Sequence, residues 1–178
     1  MSKVTLYIAS SIDGFIARTD GSLDWLDAIP NPDKIDHGYL DLLEKTSCII
    51  MGRKTFSALL GFGIEWPYSG KKTFVASNDR FFNPQTPDTQ RLSGDLTKEV
   101  NRIKEESEKD IWLVGGGQLV TSFLKNDLID EMIIAIIPTI LGEGIALFPD
   151  RPKETQWHLK EHTAYSTGII CLTYIKKT

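Results

Sequence analysis

Three glycine-bearing junctions are where the chemistry of this 178-residue chain would concentrate. The apolar run Ile111-Trp112-Leu113-Val114 passes directly into Gly115-Gly116-Gly117, and a helical pattern follows from Gln118 and Leu119. Glycines there let the backbone approach a ligand closely, and the first turn of a helix offers free N–H groups to an anion. A second run, Ile49-Ile50-Met51, passes into Gly52-Arg53-Lys54-Thr55, which puts two cations and a hydroxyl at a helix start. That combination suits a phosphate. A third run ends in Ser77-Asn78-Asp79-Arg80, where Ser77 and Arg80 could hold one more. Each junction alone also reads as a tight turn or as solvated charge. Three of them on one chain point to a polyphosphate nucleotide. A fourth segment, Ser10 to Ala17, turns at Asp13-Gly14 and carries apolar residues that could press against a flat ring, or else is a plain turn.

The junctions need strands and helices to aim them. Lys3–Ser10, Cys48–Met51, Lys72–Ala76, Ile111–Val114 and Glu131–Ile137 read as buried strands. Helical spacing of apolar residues predicts helices over Asp33–Thr46, Phe56–Leu60, Asp95–Glu108 (Asp95 as N-cap) and Gln118–Lys125. Continuous rather than alternating apolar strands, each followed by a helix, predict a parallel sheet covered on both faces. In such sheets ligands bind at the carboxyl ends of strands, where all three junctions lie. Gln156–Thr163 and Ile169–Lys176, joined by Ala164–Gly168, read as a closing hairpin that makes one edge mixed. One domain over residues 1–178 is the expectation.

Composition narrows the partners. With 20 basic and 24 acidic residues the net charge is -4, which argues against general affinity for nucleic acid or an anionic membrane. Cys48 and Cys171 stand far apart in apolar runs and are read as buried, reduced thiols. No CxxC pair or metal-type Cys/His cluster is present, and His158 and His162, four apart on one strand, cannot share a metal. No metal is expected. The longest apolar run, Met132–Leu141, is broken by Pro138. A cytoplasmic, soluble protein with no membrane segment is the expectation. Signatures of serine hydrolases, P-loop enzymes, zinc proteases and Rossmann dinucleotide folds are missing from the sequence.

The motifs around Ser11-Ile12-Asp13-Gly14-Phe15-Ile16-Ala17, Met51-Gly52-Arg53-Lys54-Thr55-Phe56, Val114–Gly117 and Pro138–Gly144 occur in an order and spacing similar to the dihydrofolate reductase-like superfamily. The first and last more closely resemble the reductase domain of the bifunctional riboflavin-biosynthesis deaminase-reductase. The resemblance runs from Val4 to about Ile175. It implies a three-layer α/β/α fold with a mostly parallel eight-stranded sheet and an antiparallel C-terminal hairpin, an NADPH cofactor, and a homodimer. By the same resemblance Gly52, Arg53, Lys54 and Thr55 contact cofactor phosphates, and Ser77, Asn78 and Arg80 lie by the adenosine 2′-phosphate. Val114, Gly115, Gly116, Gly117, Gln118 and Leu119 border the pyrophosphate and nicotinamide. Ala9, Asp13, Gly14 and Ile16 line the nicotinamide pocket.

Hydride transfer also needs a proton for the reduced substrate. The position matching the superfamily's helix carboxylate is Asp36. It is read either as a proton donor with its pKa raised by an apolar wall shared with Leu40 and Leu43, or as a solvated first-turn carboxylate. Trp25, with Asp36 and Leu40, is the candidate substrate surface, and Trp25 and Trp66 are candidates for stacking on a heterocycle. The segment Arg18–Asp36 holds five aspartates and one further cation, Lys34, which suits a phosphorylated substrate poorly. The zinc-deaminase segment of the bifunctional enzyme is absent from the sequence. The expected activity is an NADPH-dependent reduction of a pyrimidine- or pterin-like heterocycle, resembling 5-amino-6-(5-phosphoribosylamino)uracil reductase. A dihydrofolate reductase and a non-catalytic nucleotide-binding module are the alternatives.

Overall fold

The apolar runs become the inner strands of one large sheet. The computed structural model describes residues 2–177. In chain order its elements are β1 (Val4–Ser11), β2 (Phe15–Ala17), α1 (Asp24–Asp27), α2 (Tyr39–Lys45), β3 (Thr46–Gly52), α3 (Arg53–Gly61), β4 (Lys72–Ala76) and β5 (Thr89–Leu92). There follow α4 (Leu96–Glu106), β6 (Asp110–Gly115), α5 (Gly117–Lys125), β7 (Glu131–Ile137), β8 (Ile145–Ala146), β9 (Trp157–Ala164) and β10 (Ile170–Lys176). Eight strands pair in the order β5-β4-β3-β6-β1-β7-β10-β9, and β2 pairs with β8 in a separate two-stranded sheet. The pairs from β5 through β7 are parallel, while β10 runs antiparallel to β7 and to β9. The expected mixed edge and hairpin are present.

Both faces of the inner sheet are covered, which is why strands β1, β3, β4, β6 and β7 are largely apolar, while the edge strands β5 and β9 are not. Leu6, Ile50, Phe74 and Leu113 share one cluster with Val100 and Ile103 of α4 and with Val120 and Phe123 of α5. Their sequence neighbours Ile49, Met51, Val75 and Trp112 point the other way, onto Leu42 of α2 and Phe56 of α3. Beyond them Ala135 and Ile137 of β7 pack with Trp25 of α1 and with Cys171. Asp95 caps α4 as expected, its carboxylate accepting the Lys98 N–H at 3.0 Å. Both cysteines are buried and free. Among the described residues no helix is long and apolar enough to cross a membrane.

One helix is shorter than its periodicity implies. The pattern predicts a helix from Asp33, but the helix starts at Tyr39. Lys34 and His37 have φ of 51° and 55°, and Gly38 has φ of 89°, so the chain leaves the right-handed region three times before α2 begins. Asn31 stabilises this loop, its side chain exchanging hydrogen bonds with the N–H and C=O of Ile35. Strand β5 has no apolar run, and the strands of the β2–β8 pair are only three and two residues long, so none of them was expected.

Candidate functional site

Strands β3 and β6 are neighbours and end together, with Met51 opposite Gly115. Helices α3 and α5 therefore start side by side, with Gly52 and Gly116 as their N-caps. Neither cap has a side chain that could take up a first-turn N–H, and of the first turn of α5 the Leu119 N–H already donates to the Gly116 carbonyl at 3.0 Å, which leaves those of Gly117 and Gln118 for an anion. The glycines keep the space between them open. A methyl group on Gly52 would lie 3.6 Å from the Gly115 carbonyl oxygen and 3.8 Å from the Gly116 nitrogen. One on Gly116 would lie 3.5 Å from Thr55 Oγ1 and 3.8 Å from Ile16 Cδ1. Gly52, Thr55, Gly116 and Ile16, singled out from three separate motifs, thus surround one cradle. The Gly115–Gly116 peptide is cis. Lys54 and Gln118 are exposed in the first turns, Val114 is half-buried at the end of β6, and Leu119 leans onto the core.

The Asp13-Gly14 turn forms as expected, with the Gly14 N–H donating to the Ser11 carbonyl at 3.0 Å. The Asp13 carboxylate has a definite task. It accepts the Ser11 hydroxyl at 2.6 Å and the N–H groups of Leu141 and Gly142 at 3.1 and 2.7 Å. The Ser11 hydroxyl bond foremost, with the two backbone N–H groups, holds this carboxyl below its ordinary range. The first and last glycine motifs are tied together through Asp13. The tie continues at Gly117, where a Cβ would collide with the Ala146 carbonyl and the Pro149 ring.

At the end of β4 the charges differ from a simple cationic seat. Arg53 pairs with Asp79 at 2.6 Å and lies 4.9 Å above the Phe82 ring. The Phe81 N–H and then Arg53 hold the Asp79 carboxyl below its ordinary range. Ser77 Oγ accepts the Asp79 N–H at 3.2 Å, and Arg80 stacks on Phe81 with its guanidinium carbon 4.7 Å from the ring centre. Asn78 lies between them in the same loop. The role of Asp79 as the partner of Arg53 is legible in the sequence only as an acidic residue inside an otherwise cationic motif.

A cavity of about 220 Å³ opens on the α1–α3 face. Its floor is Tyr7 and Ala9 of β1 with Ala135 and Ile137 of β7, and its wall includes Leu26, Ile29, Asn31, His37 and Ile169. Ala9 places it one strand away from β6 and its glycines. His37 is the residue that the sequence reading missed here. Its backbone carbonyl accepts the Tyr7 hydroxyl at 3.2 Å, and its Nε2 lies 3.0 Å from Thr167 Oγ1. Burial pushes its pKa down, against an opposing pull from Asp36, and burial pushes the Tyr7 hydroxyl well up.

The structure decides between the two readings of Asp36 and corrects the placement of Leu40, Trp25 and Trp66. Asp36 does not project from an apolar helical wall: it precedes α2, is exposed, and spends its carboxylate on the N–H groups of Leu40 at 2.8 Å and Gly38 at 3.4 Å. Those bonds, the Leu40 one foremost, lower its pKa, which agrees with the solvated-carboxylate reading and not with the proton donor of raised pKa. Leu40 is 65% exposed and does not line the cavity. Trp25 is 2% exposed and belongs to the core beneath α1, so its ring offers no open stacking face. Trp66 likewise packs in an aromatic cluster, 5.5 Å from Phe56 and 5.2 Å from Tyr68 between ring centres.

Strand order and layering give the molecule the dihydrofolate reductase-like fold. A dihydrofolate reductase from Enterococcus faecalis solved with NADP(H) superposes with a TM-score of 0.71 over 99% of this chain and 97% of that one, at 15% identity. The chain belongs to the RibD C-terminal domain family, whose profile matches residues 69–171. It is similar to the uncharacterised protein YwjB of Bacillus subtilis, 38% identical over 169 residues covering 94% of each chain. A structure from Shewanella sp. PV-4, described as a candidate riboflavin biosynthesis protein, matches with a TM-score of 0.90 at 33% identity over 99% of both chains.

Proposed function

We propose that the chain is an NADPH-dependent reductase that binds its cofactor along the carboxyl edge of β3, β4 and β6 and reduces a flat pyrimidine- or pterin-like heterocycle held in the adjacent cavity. The observation that carries this reading is the pair of uncapped helix starts, α3 and α5, facing each other across the glycine cradle beside that cavity. A pyrophosphate needs backbone N–H donors and room for close approach, and Gly52, Gly116 and Thr55 offer both. Arg53, Lys54 and Arg80 add the positive charge that an extra phosphate requires. The family relationship and the NADP(H) complex of the Enterococcus faecalis enzyme support the same cofactor.

When bound, the cofactor supplies a hydride. This chain's contribution is to hold and orient both molecules. Ile16 closes one side of the cradle, and the Asp13 anchor fixes the 138–144 loop across the first turn. Most of the cavity's lining side chains are apolar, which suits the faces of a flat ring. No lysine or arginine is among its lining residues, and Arg18 is already engaged by Asp24 at 2.6 Å. An unphosphorylated heterocycle fits this charge pattern better than a phosphoribosyl substrate.

The ionised, exposed state of Asp36 favours one alternative, a nucleotide-binding module without turnover. Absorbance assays separate the two readings. The reductase consumes NADPH when offered dihydrofolate or a diaminouracil. Saturable NADPH binding without turnover on any heterocycle selects the module, and failure to bind NADPH or NADH contradicts both.

A further inference from the structure

The cavity is apolar except at a few atoms, and the structure accounts for nearly all of them. Asn31 borders it, but its amide oxygen and nitrogen are both taken by the Ile35 backbone at 2.9 and 2.7 Å. The Tyr7 hydroxyl donates to the His37 carbonyl. The His37 ring remains. Its Nε2 is engaged by Thr167 Oγ1 at 3.0 Å, while Nδ1 has no hydrogen-bond partner among the described residues.

Few residues here are positioned from so many elements. The Tyr7 hydroxyl of β1 and the Cys171 thiol of β10 both donate to the His37 carbonyl, the latter at 3.6 Å. Thr167 and Tyr165 come from the β9–β10 turn, and the Tyr165 ring stands edge-on to the imidazole with centres 4.9 Å apart. His37 itself adopts φ of 55°, a left-handed conformation unfavourable for a residue with a side chain, which contacts from several sides must maintain. A ring held this firmly beside an apolar cavity, with one nitrogen free, is suited to reading a polar edge.

We propose that His37 is the specificity-determining residue of the cavity, its Nδ1 hydrogen-bonding the N–H or C=O edge of a flat heterocycle while Thr167 fixes Nε2. The inference rests on the heterocycle reading of the cavity and names the residue that performs the recognition. The ionisable groups around the ring are Asp36 before it, Tyr7 on β1, Tyr165 in the turn and Cys171 on β10. Of these only Asp36 is charged near neutrality, and burial outweighs its pull on His37. The ring is therefore neutral at neutral pH and gains a proton only below about pH 6.5. Protonation changes the hydrogen-bonding character of Nδ1 or of its partner nitrogen, so recognition depends on pH in that range.

Diaminouracil is the probe, with dissociation constants measured by calorimetry between about pH 5 and 8 for the wild type, His37→Leu and His37→Gln. The wild type binds at neutral pH and changes affinity below about pH 6.5. His37→Leu loses about tenfold or more, the scale of one buried hydrogen bond left unpaired on a ligand. His37→Gln recovers part of the affinity and shows no pH transition. Unchanged binding by His37→Leu overturns the proposal. So does a wild-type pH profile in His37→Gln, or a wild type that fails to bind the probe. If His37→Leu does not fold, the affinity and pH profile of His37→Gln decide. NADPH titration of the same proteins keeps the two ideas apart: a wild type that binds diaminouracil through His37 but binds no NADPH contradicts the reductase reading alone.

Discussion

Arg53 carries a charge that Asp79 already answers, and that single pair shapes how the carboxyl edge can treat a phosphate. Exposed pairs of this kind contribute little to folding, on the order of 0–1 kcal/mol, so their importance lies in what they present to a ligand. Arg53→Ala is expected to weaken NADPH about tenfold, the loss of roughly one charge-assisted hydrogen bond. Its melting temperature should stay within about 2 °C of the wild type. Unchanged NADPH affinity in a calorimetric titration would reduce the residue to surface charge. Asp13 makes a prediction in pH. Its folded pKa lies below the ordinary 3.8, so its anchoring bonds are fully present above that value and fade as pH falls through the folded one. Asp13→Asn should melt earlier than the wild type at neutral pH, with the gap narrowing below about pH 4. A gap that stays constant into that acid range would show that the ionised carboxylate is not what holds the 138–144 loop.

Among the elements, the two helix starts respond differently to the same small change. A methyl group on Gly52 meets only ordinary contacts near 3.6 Å. Gly52→Ala should therefore fold normally and lose NADPH affinity by filling the cradle, whereas Gly117→Ala drives its Cβ into the Ala146 carbonyl and should cost about 1–3 kcal/mol. Chemical denaturation of both variants checks the contrast; equal stability would show that the 145–149 segment gives way freely. The inner strands, α4 and the hairpin were legible because covered strands are largely apolar and α4 repeats its apolar residues at helical spacing. The start of α2 was not, because Leu42 and Leu43 keep that spacing while the loop before it is set by Asn31, which holds the turn at Lys34, and by contacts of His37 with β1 and the β9–β10 turn. Strand β5 stayed invisible for a similar reason. Its Thr-Gln-Arg-Leu stretch buries only Leu92, and pairing with β4 rather than its own composition makes it a strand. The cradle could be located from glycine placement alone, whereas His37 owes its position to Tyr7, 30 residues before it, and to Thr167 and Cys171, more than a hundred residues after it.

Over the whole molecule, the net charge of -4 conceals an uneven distribution. Cations gather where β3 and β4 end, and three of the five aspartates between residues 18 and 36 are engaged locally: Asp24 with Arg18, Asp20 with the Ser22 N–H, Asp36 with the start of α2. The layers divide the work in the same way. Helices α4 and α5 close one face of the sheet around an apolar core, and the opposite face keeps a cavity of about 220 Å³ between β1, β7 and the loop before α2. A dinucleotide along the carboxyl edge would pass the cradle and end beside that cavity, which is the arrangement a hydride transfer requires. The most direct test is calorimetric titration of the wild type with NADPH and, separately, NADH. Saturable binding of one equivalent per chain, tighter for NADPH and weakened by Gly52→Ala and Arg53→Ala, is the predicted result. The absence of binding by either nucleotide, with the protein folded, would contradict the account.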